Sequence, residues 1–150
     1  MLRQAMAGSE GTPALISPAF RERLMLAVTA VNECRYCSYY HARQALQAGV
    51  PEAEMRTLLA GDLPADIPED ECAGLLYAQH WAETDGNPDS QARLRVVQTY
   101  GEPRAQAIEA VLHMIRIGNL LGNSADYWLA RLSFGRLGSS GEWPRTPAGR

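Results

Sequence analysis

Residues 17–49 read SPAFRERLMLAVTAVNECRYCSYYHARQALQAG, and they predict a helix, a turn and a second helix. Ser17 followed by Pro18 is a start signal. The hydroxyl accepts from a free backbone N–H, and the proline ring holds the φ that a first helical residue needs. Phe20, Leu24, Ala27, Val28 and Val31 then recur on one helical face. The second helix is predicted from near Cys34 to Ala48, with Gly49 as its stop.

Working outward, the remaining chain repeats this pattern of proline starts and glycine stops. Pro51 opens a short helix that ends at Gly61, and Asp66 with Pro68 opens a fourth. Along the fourth, Cys72, Leu75, Leu76, Gln79 and Ala82 form one side. Asp85-Gly86-Asn87-Pro88 breaks the chain. Asp89 caps a fifth helix running to Tyr100-Gly101. Pro103 opens the longest, with Ile108, Val111, Leu112, Ile115 and Leu120 as its stripe; Ser124 either caps a last helix to Phe134 or lies inside a continuous one. No stretch alternates as a strand would. The expectation is an all-α, compact single-domain helical bundle of about six to seven helices, with short connections that make neighbours antiparallel. Residues 1–16 read as a loose leader, 17–134 as the helical body, and 135–150, rich in Gly, Ser, Pro and Arg, as a mobile or subunit-strapping tail.

Composition agrees with one globular domain. The 150 residues are 46% hydrophobic and 21% charged, which excludes a disordered acidic tail, a collagen-like repeat and a disulfide-dense mini-protein. A chain of this length buries ~70% of its unfolded surface and needs no metal or disulfide staple. Fourteen basic residues against 17 acidic leave a net charge of −3, so nothing marks a partner as nucleic acid or an anionic membrane. All the basic residues are Arg, which removes Lys as a general base or Schiff-base former. No segment approaches the ~18 apolar residues that span a bilayer. Met1 to Thr12 lacks a signal-peptide core, so a cytoplasmic location is expected. In that reducing compartment three cysteines are poor material for structural disulfides.

One cluster stands out for its chemistry. In Glu33-Cys34-Arg35-Tyr36-Cys37-Ser38-Tyr39-Tyr40-His41, the cysteines are three apart and His41 follows Cys37 by four. On a helix the three side chains share a face. Cys34 at the helix start sits where free N–H groups and the helix dipole favour a thiolate. Such a pair can cycle between dithiol and disulfide, with His41 taking or returning a proton. Glu22 lies twelve residues before Cys34. On one unbroken helix it would be about 120° off the cysteine face and ~18 Å away. If the chain folds back near Val31 to Glu33, Glu22 and His41 come level across a helical hairpin, where the carboxylate orients the imidazole. The alternative is a plain exposed carboxylate among Arg21 and Arg23.

Glu22, eleven intervening residues, Cys34-x-x-Cys37-x-x-x-His41 resembles the AhpD-like alkylhydroperoxidases of the carboxymuconolactone decarboxylase superfamily. The resemblance covers roughly residues 18–48. It implies an all-helical fold, a thiol-dependent peroxidase or disulfide reductase activity, and homo-oligomers, often trimers or hexamers. It implies no cofactor beyond a redox-active Cys34–Cys37 disulfide. The partners it implies are a hydroperoxide or disulfide substrate and a thiol reductant or peroxiredoxin-type protein. By the same resemblance Cys34, Cys37, His41 and Glu22 are the catalytic residues. One thiolate attacks the peroxide and becomes a sulfenic acid, and the other condenses with it to a disulfide and water. The helix start favours Cys34 as the attacker and the spacing to His41 favours Cys37, with the balance toward Cys37. Some members carry a histidine immediately before the second cysteine; Tyr36 stands there in this chain.

Other residues have plainer readings. Cys34, Cys37, His41 and Glu22 offer four metal ligands in principle, yet no second Cys-x-x-Cys or His pair accompanies them. Cys72 is expected as a small core residue, and His80 and His113 as ordinary helix residues. Tyr36, Tyr39 and Tyr40 either line a substrate pocket or pack against a neighbour. Asn119 and Asn123 are read as capping or interhelical hydrogen-bonding groups. A lactone lyase and a non-catalytic redox sensor are the competing functions.

Overall fold

The structure, a computed structural model, describes residues 14–137. Six α-helices follow in order: α1 Pro18–Asn32, α2 Arg35–Gln47, α3 Glu52–Leu59, α4 Glu69–Glu83, α5 Ser90–Tyr100 and α6 Glu102–Leu132. There is no strand among the described residues. The expected caps are in place: Ser17 Oγ accepts from Phe20 N–H at 3.1 Å, and Asp89 Oδ1 accepts from Ala92 N–H at 2.8 Å. The Ala92 bond is the main reason the Asp89 carboxyl lies below its usual range. The chain does not break at Ser124, which lies inside the 31-residue α6, a rod of about 46 Å.

α1 occupies the centre and packs against α2, α3, α4 and α6. Phe20 and every residue from Glu22 to Thr29 are buried, the mark of a helix covered on all sides. On one side Phe20, Leu24 and Val28 join Leu75, Trp81, Ile108, Leu112 and Ile115 in the main core. On the other, Leu26 meets Ala45 of α2, Val50 of the following connection, and Met55 and Leu58 of α3. Ile16 is buried in the main core, so the helical body takes in the residue ahead of Ser17. Residues 1–13 of the expected leader and 138–150 of the expected tail lie outside the described residues.

Polar groups inside this core are paired. Arg23 in α1 bonds Glu54 of α3 at 3.0 Å and Glu71 of α4 at 3.1 Å, tying three helices together. Burial outweighs the nearby guanidinium and raises the Glu71 carboxyl above its ordinary value. Gly74 lets α4 close on α1: a Cβ there would stand 2.7 Å from Phe20 Cζ.

Two expectations about helix faces need correction. Cys72 is half-buried and Leu76 is 51% exposed. The inner side of α4 instead follows Glu71, Gly74, Leu75, Ala78, Trp81 and Ala82, starting one residue earlier. In α6 Leu120 is exposed and Asn119 is buried in its place. Ile108, Leu112 and Ile115 continue at steps of three and four onto Asn119, Gly122 and Asp126, and only that register keeps one face inward. No helix among the described residues is long and apolar enough to cross a membrane.

Candidate active site

The site begins where α1 stops. Glu33 takes a left-handed conformation, φ 53° and ψ 35°, which reverses the chain within one residue. For a residue with a Cβ this costs about 1–2 kcal/mol, so the surrounding packing holds the turn in place. Cys34 follows as the N-cap of α2, and its Sγ accepts from Cys37 N–H at 3.3 Å. Cys34 and Cys37 are joined as a disulfide, with Cα atoms 5.3 Å apart. Cys34 is fully buried, whereas Cys37 keeps 8% of its surface.

The hairpin brings Glu22 and His41 together. Glu22 Oε2 lies 2.8 Å from His41 Nδ1. Its other oxygen accepts from Arg21 Nε at 3.1 Å, and the carboxylate is almost wholly buried. Both carboxylate oxygens are therefore engaged, and the reading of Glu22 as a plain exposed carboxylate is set aside. With Nδ1 turned to Glu22, Nε2 is the ring nitrogen left to exchange a proton. His41 follows Cys37 by one turn on the same helix face.

The tyrosines separate. Tyr36 and Tyr39 line an apolar groove of about 460 Å³ with Arg35, Ser38, Ala42 and Leu59. Tyr40 stands edge-on to His41, ring centroids 5.1 Å apart. All three tyrosines are exposed. His80 and His113 take part in packing elsewhere: His80 Nε2 is 2.9 Å from Asp89 Oδ2, and His113 meets Trp81 edge-on at 5.0 Å. No cluster of three or more His, Cys, Asp or Glu able to hold a metal occurs among the described residues.

α6 closes the site from the other side, with one residue that sequence reading missed. Asn119 donates to Thr29 Oγ1 at 3.1 Å and accepts from Asn32 Nδ2 at 3.0 Å. Asn123 donates to the Asn32 carbonyl at 2.9 Å. These are the interhelical bonds expected of the two asparagines, made to the end of α1 just before Cys34. Between them lies Gly122, whose backbone faces both sulfurs. A glycine interrupting a helical run, on the register of Ile108 and Ile115, was the signal available.

The Cys34–Cys37 disulfide thus sits at the head of a helix that also carries His41, itself paired with the buried Glu22. The model of the carboxymuconolactone decarboxylase family matches residues 2–84, and the chain belongs to that family. The matched stretch contains Glu22, Cys34, Cys37 and His41; α5 and α6 follow it. A comparison with curated proteins finds no match.

Proposed function

We propose that the chain is an AhpD-like, thiol-dependent peroxidase or disulfide reductase. The disulfide joining Cys34 to Cys37 beside the Glu22–His41 couple carries this reading. In the reduced state His41 Nε2 accepts the Cys37 proton. The thiolate attacks the terminal oxygen of a hydroperoxide. The O–O bond breaks, Cys37 becomes a sulfenic acid, and the alkoxide takes a proton from His41 to leave as alcohol. Cys34 then attacks the sulfenic sulfur, closing the disulfide with loss of water. A dithiol reductant, itself oxidised to a disulfide, returns both cysteines to thiols. Exposure supports Cys37 as the attacker, since Cys34 has no surface of its own. The groove beside Tyr36 and Tyr39 would take the apolar part of a substrate, and Tyr40 would shield the imidazole. The family also includes decarboxylases, and the paired cysteines favour redox chemistry over lactone cleavage. The reaction requires a reducing compartment, the cytoplasm.

The same reading includes self-association into a trimer or hexamer. The second half of α6 exposes Leu120, Leu121, Tyr127, Trp128, Leu129 and Leu132. So many exposed large apolar side chains on one rod fit a partner copy.

The test is a peptide-mapped mass of the reduced protein before and after one equivalent of an organic hydroperoxide. The expected result is a loss of two hydrogens at Cys34 and Cys37, reversed by a dithiol, with Cys72 still reduced. No mass change, or a disulfide to Cys72, would reject the peroxidase reading. Repeated turnover in excess dithiol separates an enzyme from a sensor that oxidises once.

A further inference from the structure

We infer that Gly122 sets the dithiol–disulfide balance of Cys34 and Cys37, acting as a positioning residue through the space it leaves empty. The inference rests on the thiol–disulfide reading above. A Cβ built on Gly122 would lie 2.6 Å from Cys34 Sγ and 3.2 Å from Cys37 Sγ. The first separation is shorter than any carbon–sulfur contact tolerates, so something must move when a side chain is added.

Neither side moves easily. α6 is held on both flanks of Gly122. Asn119, 1% exposed, bonds Thr29 and Asn32, and Asn123 bonds the Asn32 carbonyl. Asn32 lies two residues before Cys34, so α6 is tied to the same segment that carries the sulfurs. In the disulfide each sulfur is held by the other and neither turns about its Cα–Cβ bond. In the dithiol each turns independently, and Cys37 has surface to turn toward. A methyl group at position 122 therefore penalises the closed pair more than the open one. Gly118, one turn earlier on α6, has nothing within 4 Å of its would-be Cβ. Alanine there brings the same gain in helix propensity with no contact at the sulfurs.

The experiment equilibrates the full-length chain with mixtures of reduced and oxidised glutathione, where protein dithiol plus glutathione disulfide gives protein disulfide plus two glutathione thiols. The two protein forms are counted by alkylation and mass. Gly122→Ala should shift the balance at least tenfold toward the dithiol, about 30 mV for a two-electron couple. Gly118→Ala should stay within twofold of wild type. Adding Asn123→Ala to Gly122→Ala should recover part of the shift by freeing α6. A Gly122→Ala balance within twofold of wild type, or a shift toward the disulfide, overturns the proposal. A second measurement covers a variant that folds poorly. The loss of unfolding midpoint caused by Gly122→Ala should be larger in oxidised than in reduced protein, and equal losses also overturn it. No peroxide enters either assay, so they report on Gly122 even if peroxidase activity is absent. A wild-type chain that never closes Cys34–Cys37 in these buffers instead rejects the underlying redox reading.

Discussion

Replacing Glu22 by Gln tests whether the buried carboxylate drives proton transfer at His41. The structure gives the magnitude. Glu22 Oε2 accepts from Nδ1 at 2.8 Å, and the two side chains are 4% and 14% exposed. A hydrogen bond to a charged group contributes about 1.5–3 kcal/mol and a neutral one about 0.5–1.5 kcal/mol. Gln keeps the shape and removes the charge, so the bond to His41 weakens by about 1.4 kcal/mol, a factor of ten. Because Arg21 holds the other oxygen, the single carbonyl of Gln can serve Arg21 or His41 but not both. The assay is the rate of iodoacetamide alkylation at Cys37 in reduced protein, between about pH 6 and 8. Glu22→Gln should slow it roughly tenfold at the acid end, with the difference narrowing as hydroxide takes over. A rate within twofold of wild type across that range, in a variant of unchanged fold, would remove Glu22 from the proton path.

If Cys37 attacks first, Cys34→Ser should still form one sulfenic acid per chain, trapped at Cys37 by dimedone, whereas Cys37→Ser forms none; both should lose turnover. Gly74→Ala should lower stability by about 1–2 kcal/mol in urea unfolding, because crowding of the buried Phe20 ring outweighs a gain of about 1 kcal/mol in helix propensity. The Glu71 carboxyl is raised from 4.5 by burial, so its contribution to stability is present below that value and lost as pH climbs through the raised one. Glu71→Gln should remove that fall, and an identical pH profile in the variant would refute it. Trp128→Asp with Leu132→Asp should reduce the sedimenting mass to one chain; an unchanged mass would place the self-association surface elsewhere.

Much of the fold was legible because its signals are local. Ser17-Pro18, Asp89 and Pro103 act within a turn of where they stand, and each marks a helix start. The hairpin was readable because Glu22 is useless to the cysteines on a straight helix and level with His41 on a folded one. What failed was register. In α4 and α6 apolar residues lie on adjacent positions, so Leu76 and Leu120 fitted a stripe as well as their neighbours did. Burial chose the neighbours, Tyr77 and Asn119. The inward face of α6 turns polar and small at Asn119 and Gly122 because there it leaves the apolar core and meets the end of α1 and the Cys34–Cys37 disulfide. Hydrophobic periodicity cannot follow a face that leaves room for two sulfurs. The left-handed Glu33 carries no glycine to announce it, and only the packing of α1 against α2 imposes it.

Cys34 as the N-cap of α2 links the charge on a sulfur to the firmness of a helix end. A disulfide sulfur is a weak acceptor for the Cys37 N–H, while a thiolate in the same place is a full negative charge at the positive end of the helix. Whenever Cys34 of the reduced protein carries that charge the first turn of α2 tightens, and oxidation, which removes it, lets the turn loosen. Amide hydrogen exchange at Tyr36 and Cys37 then follows the oxidation state of a bond that the exchanging protons do not belong to.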